Sequence, residues 1–421
     1  MQRSILTAVT VGAVLALAAC SGGDATSTAP ATTGSTSASP TDEATPELGG
    51  TLTVWVDETR INDFKALATE YQAKTGVTVK LVQKASGDIR TDFVKQVPTG
   101  AGPDVIIGAH DWTGEFVANG VVQPIQLGDK ASEFNPVSIS AFTDGGQVYG
   151  LPYATENIAL VRNNKLVDST PDTFDGLVDQ GKSLKTKYPL LLQVTTDGDA
   201  YHMYPIQTSF GAPIFTQNSD GSYTQTLGLG GDSGHKFAEY IQKLGKEGVL
   251  NTAIGGDQAK EAFSKGQSAY IITGPWYTSD FVKAGMDISV LPVPSAGGSP
   301  SLPFVGVQGA FISAKTQNAI VANDFVVNYL GSADVQTAIY KSGGRMPALT
   351  AAADQVDDAV LKGFADASGT APMPGFSFMG DLWAQWGGTQ AQIIGGQAKD
   401  ADKAWDKMVD NLQSVIDKAT K

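Results

Sequence analysis

The segment Gly102-Pro103-Asp104-Val105-Ile106-Ile107-Gly108-Ala109-His110-Asp111-Trp112-Thr113-Gly114-Glu115 reads as a strand feeding a helix. The Gly-Pro turn precedes a short β-branched run, Val105 to Ile107, bounded by turn signals, which is the pattern of a parallel strand buried on both faces. The strand is expected to stop at Gly108, with His110, Asp111 and Trp112 at its carboxyl end and a helix over 113–119 stopped by Gly120. In open α/β sheets, ligands bind in the crevice beyond the carboxyl ends of the strands. A carboxylate beside an indole suits a sugar there, because the carboxylate accepts hydroxyl hydrogen bonds while the flat ring covers an apolar pyranose face. Asp111 as a helix cap next to a core tryptophan accounts for the same residues without a ligand.

Working outward, 51–56 reads as a strand, 60–75 as a helix with Phe64, Leu67 and Tyr71 on one face and Gly76 as its stop, and 77–81 as the next strand. With a helix over 89–96, the order is β-α-β-α-β-α, which argues for a doubly wound parallel sheet. A second α/β block follows. Strand-like 149–154 continues into 157–161, then come a helix at 174–184, a strand at 190–194, helices at 201–210 and 236–246, and a strand at 269–272. Gly274-Pro275-Trp276 has proline in the first turn of a helix, a start that leaves backbone N–H groups and Trp276 facing outward. Strands are expected at 288–291 and 304–307. Near the carboxyl end Trp405, Met408, Val409, Leu412, Val415 and Ile416 recur at the helical period, which makes Trp405 a core residue.

The 421 residues, 42% hydrophobic and 17% charged, are enough for two packed domains. A formal net charge of -14 argues against nucleic acid and anionic membrane surfaces as partners, since both would repel the protein. Cys20 is the single cysteine, and His110, His202 and His235 are the only histidines, so zinc-type spacings and intrachain disulfides are excluded and no cofactor is expected. No nucleophile elbow, phosphate loop or dinucleotide fingerprint occurs. Asp111, Glu156 and Asp199 could serve a glycosidase, which needs two carboxyl groups across the scissile bond. Trp112, Trp276, Trp383 and Trp386 lie beside turns or helix starts, and together with strand-end carboxylates they favour a sugar cleft over core packing.

Residues 1–19 read as a secretory leader, with Arg3 before an apolar core too short to span a bilayer. It ends in Leu17-Ala18-Ala19-Cys20, which resembles the lipobox of bacterial lipoproteins and implies lipidation of Cys20 after cleavage. Residues 20–48, rich in Ser, Thr, Ala and Pro, cannot bury enough apolar surface to offset ordering and read as a flexible tether.

The body from about Gly50 onward resembles the maltose and maltodextrin-binding proteins of ABC importers, family 1 of the extracellular solute-binding proteins. The resemblance rests on Leu52-Thr-Val-Trp55, Thr99-Gly-Ala-Gly-Pro-Asp104, Ala109-His-Asp111, Gly274-Pro-Trp276, Pro303-Phe-Val-Gly-Val307 and Met373-Pro with Trp383 beyond, in the same order and at similar spacing. It implies a two-lobed type II periplasmic-binding-protein-like α/β fold, each lobe a doubly wound sheet flanked by helices, with ligand between the lobes. One lobe would comprise 49–154 plus 309–352 and the other 158–303 plus 358–421, with hinge crossings near 154–158, 304–309 and 351–358. It further implies a non-enzymatic, monomeric receptor on the extracellular face of the membrane, held by lipid alone, that delivers a malto-oligosaccharide to a permease.

Carried over by position, Asp111 and Glu156 would accept sugar hydroxyl bonds, as would Glu58 or Arg60, while Tyr201, Trp276 and Trp383 would stack on sugar rings with Asp199 beside Tyr201. The chain departs from the family pattern at four places. Gly108 stands where a tryptophan is expected and Trp112 where an arginine is, and Ala384 and Gly387 replace a tyrosine and an arginine. Trp112 and Trp386 are candidates to restore the lost aromatic surface. The departures leave open another oligosaccharide or a sugar-like ligand on the same fold, and a surface glycoside hydrolase remains the rival of a different class.

Overall fold

The computed structural model describes residues 48–219, 222–369 and 371–420. The expected leader, Cys20 and nearly all of the tether lie outside them. The described body begins where the Leu48 and Gly49 amides both donate to the Thr75 carbonyl at the end of the first helix.

Two sheets organise the body. The first contains β1 (Thr51–Asp57), β2 (Thr78–Lys84), β3 (Val105–Ala109) and β4 (Gly150–Glu156); the second starts immediately afterwards with β5 (Ala159–Asn163) and adds β6 (Leu191–Leu192), β7 (Tyr270–Thr273) and β8 (Ile288–Leu291). The chain then returns to the first sheet for β9 (Gly306–Ile312) and β10 (Met346–Pro347). Their spatial orders are β10-β4-β9-β3-β1-β2 and β8-β5-β7-β6. β1 pairs in parallel with both β2 and β3, as the β-α-β order requires. The sheets are mixed rather than wholly parallel, because β9 arrives from the other sheet and inserts antiparallel between β3 and β4. Likewise β5 runs antiparallel to β7 and β8.

Alternation along the strands explains why each sheet is covered on both faces. In β1, Leu52, Val54 and Val56 enter one core while Trp55 enters the opposite one, and in β3 Ile106 parts from Val105 and Ile107 in the same way. In the second sheet Leu160 and Ile272 face one core, and Ala159, Val161 and Ile271 face the other. Helices supply the outer layers, which makes both halves three-layered. Those used below are α1 (Ile61–Thr75), α2 (Ile89–Gln96), α3 (Thr113–Ala118), α4 (Phe174–Ser183), α5 (Ala200–Thr208), α6 (Gly231–Lys246), α7 (Ala333–Gly343), α8 (Met379–Ile394) and α9 (Ala401–Ala419).

The apolar stripe of α9 packs as its period requires, and Trp405 is fully buried with its indole N–H donating to the Leu229 carbonyl. α8 was not legible as a helix in the sequence, because Gly380, Gly387 and Gly388 weaken its helical pattern. The glycine that contact requires is Gly198 (φ 81°), where a Cβ would collide with the Gly387 carbonyl. No helix among the described residues is long and apolar enough to cross a membrane.

A polar and aromatic cleft

A cavity of about 840 Å³ lies between the carboxyl ends of the parallel strands of the two sheets. It is lined by Glu58, Arg60, Asp111, Trp112, Glu156, Asp199, Tyr201, Trp276 and Trp383, so the structure brings together nine of the ten site residues expected from the sequence.

Trp386 is the exception. It is fully buried, its indole N–H donates to Gln207 Oε1 at 2.9 Å, and it does not reach the cavity. The sequence placed it near a turn, whereas it lies inside α8 one helical turn beyond Trp383. The two indoles stack at 5.2 Å and 15°, so Trp386 supports Trp383 from behind.

Matching strand-to-helix turns carry Trp112 and Trp276. After β3, a 3-10 turn over His110–Trp112 leads into α3, and after β7 a 3-10 turn over Pro275–Tyr277 leads into the helix Thr278–Lys283. In each turn the indole folds back over a glycine: a Cβ on Gly108 would collide with the Trp112 ring, and one on Gly274 with the Trp276 ring. The departure at Gly108 is therefore coupled to the one at Trp112. Tyr201, in the first turn of α5, lies parallel to Phe304 at 6.5 Å and 10°, and Trp383 meets the edge of Phe304 at 5.9 Å. All four cleft rings are half-buried, while the remaining tryptophans, Trp55, Trp386 and Trp405, are core.

The carboxylates divide by what occupies their oxygens. Asp111 does not cap α3; its Oδ2 accepts from Trp383 Nε1 at 3.0 Å, and its buried Oδ1 has no partner among the described residues. Glu156 has both oxygens engaged, accepting from Gln308 Nε2 at 2.6 Å and from Arg345 Nε at 2.8 Å. Arg345 also reaches Asp63 at 3.2 Å, and Arg60 pairs with Asp57 and Gln308. Burial lifts the Asp63 carboxyl above its usual range, and Arg345 opposes that rise. Glu58 is exposed at the rim and accepts from the Ser86 amide at 3.0 Å.

Asp199 caps α5, its Oδ1 accepting from the His202 amide at 3.0 Å, while Oδ2 accepts from Gln193 Nε2. Burial raises its pKa, but facing His202 and these hydrogen bonds outweigh that and hold the carboxyl below the usual range. Burial pushes the Tyr201 phenol well above its ordinary value, so it remains a hydroxyl, and its buried oxygen is unpartnered among the described residues. Gln308, Arg345 and His202 escaped sequence reasoning. Nothing in their spacing marks them, and only the burial of Arg345 at 1% exposure reveals its place.

Seven Asp or Glu residues line the cavity against four Lys or Arg, which disfavours an anionic ligand. Among the described residues no group of three His, Cys, Asp or Glu could hold a metal ion. Glu156 has both oxygens engaged by protein donors, and Asp199, held below its usual range, is poorly suited to the general-acid role in glycoside hydrolysis. Half-buried rings and unpartnered hydrogen-bonding atoms around a crevice between two α/β lobes define a small-molecule receptor.

The chain belongs to the bacterial extracellular solute-binding protein family, whose model matches residues 66–365. It is 26% identical over 383 residues to the galactooligosaccharide-binding protein of Bacillus subtilis (strain 168), covering 87% of this chain and 90% of that one. A maltooligosaccharide ABC transporter solute-binding lipoprotein of Streptococcus pneumoniae (strain ATCC BAA-255 / R6) is also 26% identical, covering 87% and 88%. The solved structure of the Thermus thermophilus maltotriose binding protein bound with maltotriose superposes with a TM-score of 0.79 at 28% identity, over 87% of this chain and 100% of that one. The chain is accordingly a binding protein of the two-lobed type II fold and not an enzyme.

Proposed function

We propose that this protein is the sugar-binding component of an ABC importer, taking a neutral oligosaccharide of the maltodextrin type between its lobes and presenting it to a membrane permease. The observation that carries this reading is the pairing, in one crevice, of the half-buried rings of Trp112, Tyr201, Trp276 and Trp383 with Asp111 Oδ1 and the Tyr201 hydroxyl, both unpartnered among the described residues. Pyranose rings offer apolar faces to the former and hydroxyl groups to the latter. Asp111 accepts a ligand hydroxyl, the four rings stack, and Glu58 closes the rim. Arg60 and Glu156 act from within their ion-pair network, and Asp199 through α5. The similarity to proteins named for maltooligosaccharides and maltotriose supports the maltodextrin class.

The lobes are 49–154 plus 309–352 and 158–303 plus 358–421, and closure turns on crossings at 154–158, 304–309 and 351–358. The protein works as a monomer at the extracellular face of the membrane, anchored only through lipidated Cys20, with residues 20–48 as the tether. Calorimetry with maltose, maltotriose, maltohexaose, galactotriose and glucose tests the ligand class. Sub-millimolar binding of a malto-oligosaccharide that weakens in Asp111→Asn is the expected result, and failure of every sugar would end the reading. In the native host Cys20→Ser is expected to shed the protein from the membrane fraction.

A further inference from the structure

His202 follows the ring-stacking Tyr201 in α5 and lines the same cavity. It is 4% exposed, and Nε2 of its imidazole has no hydrogen-bond partner among the described residues. Its ring stands edge-on to Trp276 at 5.7 Å and 81°, and edge-on to Tyr201 at 5.7 Å and 83°, so it is wedged between two cleft aromatics. Nδ1 lies 2.8 Å from Asp199 Oδ2, out of line for a regular hydrogen bond but far too close for two lone pairs to face each other. The proton of the neutral ring therefore belongs on Nδ1, which leaves a lone pair on Nε2.

Asp199 is itself held from two sides, by the cap to the His202 amide and by Gln193, so its direction is set before any ligand arrives. A buried acceptor left without a donor keeps the cost of its desolvation uncompensated. A hydroxyl delivered by a ligand removes that cost.

We infer that His202 is a ligand-contacting residue whose Nε2 accepts a hydrogen bond from a hydroxyl of the bound oligosaccharide, and that Asp199 is a positioning residue that selects the accepting tautomer. The assignment rests on the sugar-binding reading above. It moves the polar contact of this part of the cleft from Asp199, whose oxygens are engaged, to the residue that Asp199 orients. It also makes the site selective, since a sugar with its hydroxyl in the other configuration at that carbon leaves Nε2 unsatisfied.

The test uses the full chain with maltotriose and galactotriose as ligands. His202→Phe keeps a ring between Tyr201 and Trp276 but removes the nitrogen, and His202→Gln restores a polar atom near the place of Nε2. Affinity for the preferred trisaccharide is expected to fall roughly five- to fifty-fold in His202→Phe, with part regained in His202→Gln. With only three histidines in the chain, ring nitrogen resonances can be assigned by substitution. Ligand is expected to shift the His202 Nε2 resonance, and Asp199→Asn to alter the tautomer balance of His202 in the ligand-free protein. If wild type binds a sugar, yet His202→Phe binds it equally well and the Nε2 resonance does not respond, the assignment is wrong and the sugar-binding reading stands. If wild type binds neither trisaccharide, the assignment fails, and the sugar-binding reading fails with it when maltose, maltohexaose and glucose are not bound either.

Discussion

The two walls of the cleft treat their polar atoms in opposite ways. On the side of the first sheet Asp57, Arg60, Gln308, Glu156, Arg345 and Asp63 form one chain of ion pairs and hydrogen bonds in which Arg60 Nε alone is buried without a partner among the described residues, and beside the chain Asp111 Oδ1 is another such atom. On the side of the second sheet Tyr201, His202 and Trp276 present rings, and the buried Tyr201 hydroxyl and His202 Nε2 are without hydrogen-bond partners among the described residues. Trp383 joins the walls through its bond to Asp111. A wall whose charges satisfy one another gains order and offers little to a ligand, whereas a wall with unpartnered atoms is incomplete until something binds. Residue type alone does not show this difference: Glu156 and Arg60, expected from the sequence as ligand groups, line the cavity with side-chain atoms already engaged by protein partners.

This contrast breaks most directly at Arg345. Removing it by Arg345→Met leaves Glu156 and Asp63 buried without their cation, and we expect a loss of about 3–5 kcal/mol of stability in urea unfolding. A loss below about 1 kcal/mol would mean that water or rearrangement replaces the guanidinium, and that this wall is no more closed than the other. The opposite wall should respond in affinity instead. Trp276→Ala and Trp383→Ala are each expected to cost about 1–3 kcal/mol of binding by calorimetry. Trp386→Phe, which leaves Gln207 Oε1 with only the longer bond from Gln390 Nε2 at 3.3 Å, should cost about 1–2 kcal/mol of stability and far less affinity than Trp383→Ala. A larger affinity loss at Trp386 than at Trp383 would reverse their placement.

A smaller effect is expected where backbone and ring meet. Gly108→Ala forces the Trp112 ring off its seat, and we expect affinity to weaken about tenfold, with a modest change in melting temperature. Unchanged affinity would remove Trp112 from the ligand surface.

The smallest effect is a dependence on pH. His110 is buried where the walls adjoin, its Nδ1 accepting from the Val307 amide at 3.0 Å and its Nε2–H donating to the Met373 carbonyl at 3.0 Å. Burial holds its pKa below the ordinary 6.5, against the pull of Asp111. The unfolded chain then binds the proton more readily, so the contribution of neutral His110 to stability is complete above about pH 6.5 and is lost as pH falls through the folded value. The raised pKa of surface His235 beside Asp406 acts with the opposite sign. We therefore compare wild type with His110→Asn, which keeps His235, and expect a shallower fall in melting temperature between pH 7.5 and 5.5 in the variant. Parallel curves would show that the buried imidazole does not titrate with unfolding.

The sequence by itself determined the local order. Period-2 runs such as Leu52 to Val56, the turn glycines and Pro275 specify strand, turn and helix within a few residues, and short motifs spread over the chain identify the two-lobed class and gather most of the cleft residues. Those signals are local, or survive as spacing, and so can be read in one dimension. Only the tertiary structure decided the antiparallel insertion of β9, the helical setting that sends Trp383 to the cleft and Trp386 to the core, and the burial of Arg345 between Glu156 and Asp63. Each depends on contacts between segments far apart in the chain, where what a side chain does is settled by which neighbours already occupy its hydrogen bonds rather than by its own chemistry.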